Sequence, residues 1–361
     1  MQQVHSIHYL RAIAALMVVV LHINTGIEFM RHGTADIGWL RGGVDIFFII
    51  SGFVMVKSTA GKAISPQDFF IRRCQRIVPL YWLATLVMMT AIQGQFLFKF
   101  GSMFFVPMAN PDSGALEPVV EPGWTLNYEM FFYLLFALSL LLAEKWRFWV
   151  LTALLSAMVV MSLIVPVSGV IGFYTNPIML EFLFGMAIAK FQLKGPMLLI
   201  PLGFAAMYVF HPLIGSRVIS LGLPAALIVM GAIGGEHKVR SYRVFDVLGD
   251  ASYSIYIFHL LALGVLVKNW AGLGIDTAYF APIALIFVVA MAVALHWFLE
   301  RPIIGYFARR NAQSGDRSAN TAVSIFRRHA SKAAFNTEKV NDIAGAPSNN
   351  GRSAISTTTS A

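Results

Sequence analysis

The sequence predicts an all-α, polytopic integral membrane protein with about ten transmembrane helices. Hydrophobic residues make up 57% of the 361 residues and charged residues only 12%, and the mean hydropathy is +0.69. This composition is far more apolar than that of a soluble globular chain. Apolar runs, most of them of about 17 to 22 residues and so long enough to cross a bilayer as helices, cover residues 11–29, 44–57, 79–94, 122–143, 148–167, 176–192, 196–212, 217–234, 247–267 and 278–299.

Two stretches depart from this regular series of apolar runs. The run at 44–57 is short and its neighbours are rich in glycine, so the count of ten is accurate only to one or two helices. The segment at 95–122 carries Asp112, Glu117 and Glu121 beside several prolines and glycines. We expect an extracytoplasmic loop there, in a position to cover or select a substrate.

The chain is predicted to divide into a membrane body and a polar tail. Residues 1–310 contain all ten apolar runs and form the predicted membrane-embedded domain. Residues 311–361 are rich in Ser, Thr, Asn and Ala and contain few large apolar side chains. Such a segment cannot bury a core, so we expect a disordered cytoplasmic tail there.

The distribution of Lys and Arg predicts the orientation in the membrane. With a cytoplasmic N-terminus, sixteen of these residues flank the runs on the inner side and five on the outer side. Cationic residues beside spans stay in the cytoplasm, so both termini are predicted to be cytoplasmic for an even number of spans. The net charge of +9 then reflects topology, and no nucleic-acid partner is predicted. The five outer residues are Arg31, Arg41, Lys99, Arg217 and Lys268.

The first apolar run contains an arginine and a histidine, Arg11 and His22. Eleven residues turn an α-helix by nearly three full turns, so both side chains lie on one face, about 16 Å apart along the axis. A cation at the inner rim and an imidazole near the middle of a bilayer are costly to keep without a use. This spacing predicts a catalytic site inside the membrane.

Further ionisable side chains fall at a similar depth on other helices. They are Glu129, Glu181 and His259, while Asp45 lies near the outer rim. A buried carboxylate needs a partner, and Glu129 is the candidate for orienting or charge-balancing His22. A purely structural ion pair is the alternative for each carboxylate, and a packed, hydrogen-bonded ring is the alternative for His22 and His259. Spacing alone does not fix helix rotation.

A cationic cluster enters the third run from the cytoplasmic side. It consists of Arg72, Arg73 and Arg76, of which Arg72 and Arg76 share a helix face. Arginine forks suit phosphate oxygens, and the pyrophosphate and 3′-phosphate of coenzyme A fit such a cluster. Ordinary anchoring to lipid head groups is the alternative. No Walker A or GxGxxG loop occurs, which argues against nucleotide triphosphatases and dinucleotide enzymes.

Taken in order, five motifs resemble the acyltransferase-3 family of integral membrane acyltransferases. The resemblance covers about residues 5–307, and the WTLNYEMFFY segment at 124–133 is most similar to the branch that acetylates exopolysaccharide, O-antigen and related surface glycans. The motifs are Arg11-x10-His22, GGVDIFFIISGF at 42–53, the arginine segment at 72–81, WTLNYE at 124–129 and SYSIYIFH at 252–259.

This resemblance implies transfer of an acetyl or other short acyl group from cytoplasmic acetyl-CoA or acyl-CoA to a carbohydrate hydroxyl. It implies essential roles for His22 and Arg11 and donor binding by the three arginines at 72, 73 and 76. It also implies a bacterial inner membrane, an exported polysaccharide or its lipid-linked precursor as acceptor, and polysaccharide-synthesis machinery as a partner; no metal is expected. Since no hydrolase-like domain is found in these residues, we expect acceptor handling within the membrane body and its outer loops.

Two chemical routes through His22 stay open from the sequence. A neutral imidazole can deprotonate the attacking sugar hydroxyl, or it can take the acyl group itself and pass it outward. Arg11 would hold the donor or stabilise oxyanion charge. The rival class is a multi-span transporter or flippase for a lipid-linked glycan, since intramembrane His and Glu suit proton coupling, and a purely structural partner is a third possibility. Consumption of acyl-CoA separates an enzyme from both.

Overall fold

The computed structural model describes residues 4–31, 36–90 and 95–311, and over these ranges the fold is all-α, as predicted. The described residues contain no β-sheet, and short 3₁₀ and π-helical turns join or extend the helices. The predicted tail lies outside the described residues from 312 onward. The α-helices are α1 (His5–Arg31), α2 (Gly42–Thr59), α3 (Pro66–Met89), α4 (Phe96–Met103), α5 (Trp124–Ser139), α6 (Glu144–Ile164), α7 (Gly169–Tyr174), α8 (Leu180–Lys190), α9 (Leu199–Phe210), α10 (Leu223–Gly234), α11 (Arg243–Asp250), α12 (Ser252–Trp270) and α13 (Phe280–Leu295).

Five helices among the described residues are long and apolar enough to cross a bilayer. The other predicted runs fold as helices that are shorter, such as α8 with 11 residues, or more charged, such as α3 with its arginine cluster. The figure of ten spans therefore stays a prediction, as does the cytoplasmic position of the termini. The five helices are His5–Glu28, Gly38–Thr59, Glu144–Ile164, Ser252–Leu273 and Thr277–Asn311.

Helix α2 lies at the centre of the bundle between α1 and α8. The run predicted at 44–57 is longer than expected, because a 3₁₀ turn at Gly38–Arg41 continues directly into α2. Backbones of α2 and α8 touch, since a Cβ on Gly52 would meet the carbonyl oxygen of Phe182 and a Cβ on Gly185 would meet that of Ile49. Small residues at such contacts let membrane helices pack closely.

An aromatic stack joins α2, α5 and α8. The ring of Phe182 lies 4.7 Å from that of Phe48 and 4.3 Å from that of Phe132, centroid to centroid. All three side chains are buried. Offset ring packing of this kind adds to the stability gained from burial alone, and it fixes the face of α5 on which Glu129 lies.

Helix α3 has a clear N-terminal signal and an interior proline. The Ser65 hydroxyl oxygen accepts a hydrogen bond from the Asp68 backbone N–H at 3.0 Å, and Pro66 occupies the first helical position. Pro79 lacks an N–H and so removes one hydrogen bond from the helix interior. The arginine cluster lies in the half of α3 before this proline.

Contacts with α11 fix the start of α1 just before Arg11. The Nε2 of His8 donates to the backbone carbonyl of Asp246 at 3.0 Å, and the Tyr9 hydroxyl donates to its carboxylate at 3.1 Å. The Ser241 hydroxyl also donates to this carboxylate, at 2.6 Å, and these hydrogen bonds lower the pKa of Asp246. The position of Arg11 in the bundle is therefore set by a polar anchor.

Candidate active site

Two cavities lie along α1, one beside Arg11 and one beside His22. The Arg11 cavity has a volume of about 100 Å³ and the His22 cavity a volume of about 650 Å³. Val44 and Tyr256 line both cavities and therefore form a shared wall. The one-face spacing of Arg11 and His22 thus corresponds to two neighbouring cavities and not to one.

Hydrogen bonds hold the Tyr256 side chain in this wall. Its hydroxyl lies 3.1 Å from the Pro122 carbonyl oxygen and 2.8 Å from the Thr125 hydroxyl, which itself donates to Pro122 at 2.9 Å. The Phe47 ring packs edge-on against Tyr256 with centroids 5.6 Å apart. Hydrogen bonds and ring packing therefore join α12, α2 and the start of α5 at this wall.

Glu129 lies in the Arg11 cavity, on α5. Its carboxylate accepts hydrogen bonds from the Ser51 hydroxyl at 2.9 Å and from the Tyr133 hydroxyl at 2.5 Å. Ser51 also donates to the Tyr133 oxygen at 3.1 Å. These neutral donors satisfy part of the carboxylate and leave it able to balance a nearby cation.

Three arginines face this carboxylate around the Arg11 cavity. Arg11, Arg73 and Arg76 line it, and the Arg73 guanidinium lies over the rings of Phe69 and Tyr133 at 5.4 and 5.7 Å. Three cations against one lining carboxylate make the cavity positive. Guanidinium groups bind phosphate oxygens in fork geometry, so the cavity has the chemistry of a phosphate site.

Arg72 does not belong to this cavity. Its side chain is exposed and lines neither cavity. The sequence grouped it with Arg76 because residues four apart share a helix face, but Arg73 and Arg76, three apart, are the pair that reaches the cavity. Two of the three arginines expected to bind the donor thus line the cavity, and donor binding by the set stays a prediction.

A second polar cluster lies behind Arg11 at the end of α13. Glu300 accepts hydrogen bonds from the Ser254 hydroxyl at 2.7 Å and from His296 Nδ1 at 2.9 Å. Its charge attracts Arg11, as does that of Glu129, whereas Arg76 repels it. The turn at His296–Glu300 is π-helical, a distortion that often occurs at functional sites.

His22 forms a hydrogen-bonded pair with His259 of α12. Nε2 of His259 lies 3.1 Å from Nδ1 of His22, and the ring centroids are 4.9 Å apart. Nδ1 of His259 lies 2.6 Å from the Tyr256 carbonyl, and Nδ1 of His22 lies 2.8 Å from the Val18 carbonyl. Because carbonyl oxygens only accept, both Nδ1 atoms carry hydrogen, and His259 Nε2 is an acceptor for His22.

This arrangement leaves the Nε2 lone pair of a neutral His22 for chemistry in the His22 cavity. The hydrogen-bond partner of His22 is His259, and the expected role of Glu129 toward His22 stays a prediction. Glu129 lines the other cavity, and the side chain that orients His22 is that of His259, which is fully buried. The sequence placed His259 at the right depth, but it gave no signal that the two rings meet.

The remaining buried carboxylates form a separate cluster beside the His22 cavity. Asp45 and Glu181 are fully buried, and Arg217 binds Asp45 through Nε at 3.2 Å and Nη2 at 2.7 Å. Arg217 also lines the His22 cavity. The sequence named Asp45 and Glu181 but assigned Arg217 only to the outer side, so their clustering was missed.

Within the described ranges, no group of three or more His, Cys, Asp or Glu side chains is arranged to hold a metal ion. The chemistry available in the two cavities comes from guanidinium, imidazole, carboxylate and hydroxyl groups. A cationic cavity beside a histidine cavity, within an all-helical membrane bundle, defines a candidate group-transfer site inside the membrane.

The class of protein follows from the sequence match over this same bundle. The acyltransferase-3 family, described as an acyltransferase domain, matches residues 4–299. The chain belongs to this family, and it is an acyltransferase.

Individual relatives are similar over most of the chain. The exopolysaccharide production protein ExoZ of Rhizobium meliloti (strain 1021) is 38% identical over 298 residues, which cover 76% of this chain and 92% of ExoZ. Acyltransferase MdmB of Streptomyces mycarofaciens is 28% identical over 381 residues, covering 88% of this chain and 96% of MdmB. O-acetyltransferase OatA of Staphylococcus aureus (strain NCTC 8325) is 24% identical over 351 residues, covering 81% of this chain and 56% of OatA. No solved structure matches.

Proposed function

We propose that this protein transfers an acetyl or similar short acyl group from acyl-CoA to a hydroxyl of an exported polysaccharide or its lipid-linked precursor. The relatives ExoZ and OatA, named for exopolysaccharide production and O-acetyl transfer, support the acceptor class and the reaction. The observation that carries the proposal is the position of His22. This residue lines a cavity that shares a wall with the cationic Arg11 cavity.

The donor belongs in the Arg11 cavity in this proposal. Arg73 and Arg76 bind the phosphates of coenzyme A as charge-assisted forks. A cavity of about 100 Å³ holds only part of so large a molecule, so the nucleotide lies outside it, on the cytoplasmic side given by the Lys and Arg distribution. Arg11, which also lines this cavity, holds the donor or stabilises negative charge that develops on it.

In direct transfer, Nε2 of His22 takes the proton of the acceptor hydroxyl as its oxygen attacks the thioester carbonyl carbon. The carbon–sulfur bond breaks, and the thiolate leaves with the proton from Nε2. In a relay, Nε2 attacks the carbonyl carbon itself, the carbon–sulfur bond breaks and the thiolate leaves. The acceptor hydroxyl oxygen then attacks the acyl carbon, the carbon–nitrogen bond breaks to restore neutral His22, and the hydroxyl proton ends on the thiolate. The hydrogen on His22 Nδ1 lies beside His259 Nε2, which can accept it while the acyl-imidazole exists.

The test is acyl transfer by the full chain, purified and reconstituted in lipid vesicles with radiolabelled acetyl-CoA and extracted polysaccharide. We expect alkali-labile label in the polysaccharide with the wild type, and a loss of about 100-fold to 10,000-fold with His22→Ala, the usual range for a general base. His237→Ala is the matched control, because His237 is exposed and lines neither cavity.

Label that enters polysaccharide equally with His22→Ala and His237→Ala would contradict the role of His22. A wild type that consumes no short acyl-CoA, yet moves lipid-linked glycan across the bilayer, would replace the enzyme with the transporter.

A further inference from the structure

The His22 cavity carries a second set of polar groups that the proposed reaction does not use. Trp124, Glu121, Arg41 and Arg217 line it together with His22. Its volume of about 650 Å³ lies in the range of small-molecule binding sites, about 300 to 1,000 Å³. The set combines an aromatic face, hydrogen-bond donors and a carboxylate acceptor. A ligand that binds to all three has an apolar face, hydrogen-bond acceptors and a hydrogen-bond donor.

Arg217 is held rigidly at the edge of this cavity. The carboxylate of Asp45, which is fully buried, accepts hydrogen bonds from Nε and Nη2 of Arg217 at 3.2 and 2.7 Å. The guanidinium carbon lies 5.8 Å from the Trp124 ring centroid, within the distance of a cation–π contact. Because Asp45 occupies one edge of the guanidinium, the Nη1 hydrogens are left to donate to a ligand.

The charges around the cavity cancel. Asp45 pairs with Arg217, and the cavity lining contains one further cation, Arg41, and one carboxylate, Glu121. Ionisation of Glu181, which lies behind Asp45 and acts on it electrostatically, would add only negative charge. An anionic ligand therefore gains little here, whereas a neutral ligand with hydroxyl groups finds both a donor and an acceptor.

We propose that Trp124, Glu121 and Arg217 form an acceptor subsite that binds an uncharged sugar ring beside His22. The apolar face of the ring packs on the Trp124 indole. One hydroxyl donates to the Glu121 carboxylate, and a neighbouring hydroxyl oxygen accepts from Arg217 Nη1. The inference rests on the proposed function, because it is the acyl acceptor that this subsite presents to Nε2 of His22.

The experiment measures sugar binding directly and without acyl donor. The full chain in lipid nanodiscs is titrated with two tritiated uncharged tetrasaccharides, cellotetraose and maltotetraose, and with tetragalacturonate as the acidic counterpart. We expect saturable binding of an uncharged tetrasaccharide, weaker binding of tetragalacturonate, and binding about tenfold weaker with Trp124→Ala and with Glu121→Gln. Trp124→Phe retains a ring and is expected to retain most of the binding.

Two matched controls separate the subsite from general damage. Trp149→Ala removes an exposed tryptophan on α6, and Asp112→Asn neutralises an exposed carboxylate in the segment that also contains Glu121. Neither residue lines the His22 cavity, so both variants are expected to bind like the wild type.

Tighter binding of tetragalacturonate, unchanged binding by Trp124→Ala and Glu121→Gln, or no saturable binding of either uncharged sugar would overturn the subsite. Acetyl-CoA consumption measured on the same samples reports on the proposed function separately. Suppose the wild type binds sugar but consumes no thioester, and the two variants lose the sugar binding. That result would support the subsite and contradict the transferase.

Discussion

At the scale of single residues, the buried ring of His259 is a hydrogen-bond partner of His22, the proposed base or nucleophile. Its Nδ1 donates to the Tyr256 carbonyl, so its Nε2 accepts from His22 Nδ1, whose hydrogen the Val18 carbonyl shares. Partners of this kind, which act through a reacting side chain, typically contribute about 10-fold to 100-fold to activity. In the proposed reaction, His259 is therefore a positioning residue.

Replacement of His259 tests this role. We expect His259→Leu to lower kcat by about 10-fold to 100-fold with little change in the KM for acyl-CoA, because the donor cavity is not altered. His259→Gln retains a hydrogen-bond acceptor and should retain more of kcat than His259→Leu. Equal losses in both variants, or a loss expressed mainly in KM, would contradict positioning through the hydrogen bond.

The arginines of α3 give a second residue-scale prediction. Arg73→Ala and Arg76→Ala each remove a guanidinium from the Arg11 cavity and should raise the KM for acyl-CoA about tenfold or more, the value of a charge-assisted hydrogen bond. Steady-state kinetics at varied acyl-CoA measures this.

Arg72→Ala is the comparison within the same cluster, because the Arg72 side chain is exposed outside the cavity. We expect a smaller rise in KM for it. A rise as large as that of Arg73→Ala would return Arg72 to the donor site, as the sequence suggested.

Spacing along one helix was enough to select Arg11 and His22, because eleven residues make nearly three helical turns. The partner of His22 was not accessible in this way. His22 and His259 are 237 positions apart, and their contact depends on the rotation of α12 against α1. An almost uniformly apolar helix carries little periodic signal for that rotation. From the sequence, the candidate partner of His22 is therefore Glu129.

At the scale of elements, the closest backbone contact in the site's framework lies between α2 and α8. Gly52 and Gly185 each face a carbonyl oxygen of the other helix, those of Phe182 and Ile49. A methyl group at either position would press on backbone and not on a flexible side chain, so the helices must separate.

We expect Gly52→Ala and Gly185→Ala each to lower stability by about 1 to 3 kcal/mol, the usual cost of overpacking. Thermal unfolding of the detergent-solubilised protein measures this as a lower Tm. Gly272→Ala is the control, because a Cβ there meets nothing within 4 Å. Equal Tm values for the three variants would show that α2 and α8 can move apart freely.

Helix existence was predictable from apolar composition, but helix length was not. The helix at 44–57 is extended by the 3₁₀ turn at Gly38–Arg41, which includes a charged residue and lies outside the predicted run. The runs at 176–192 and 196–212 contain helices of only 11 and 12 residues. Most residues of α8 are buried, whereas about half of α9 is exposed, so apolar composition alone gives neither helix length nor burial.

At the scale of the whole molecule, the proposed function assigns the donor and the acceptor to two different cavities along α1. Arg11 and His22 lie about 16 Å apart by helix geometry, and the wall of Val44 and Tyr256 stands between their cavities. A protein that takes its donor from one side of a membrane and its acceptor from the other needs such an arrangement. The distribution of Lys and Arg predicts a cytoplasmic position for the Arg11 end.

Cysteine labelling tests this orientation, and the chain is suited to it because Cys74 is its only cysteine. In a Cys74→Ser background, Lys62→Cys reports on the turn between α2 and α3 and Asp112→Cys on the segment between α4 and α5; both positions are exposed. We expect a membrane-impermeant maleimide to label Lys62→Cys only in inverted vesicles and Asp112→Cys only in intact cells, because α3 lies between them. Labelling of both from one side would contradict transfer across the bilayer, and the donor and acceptor would then have to meet from the same face.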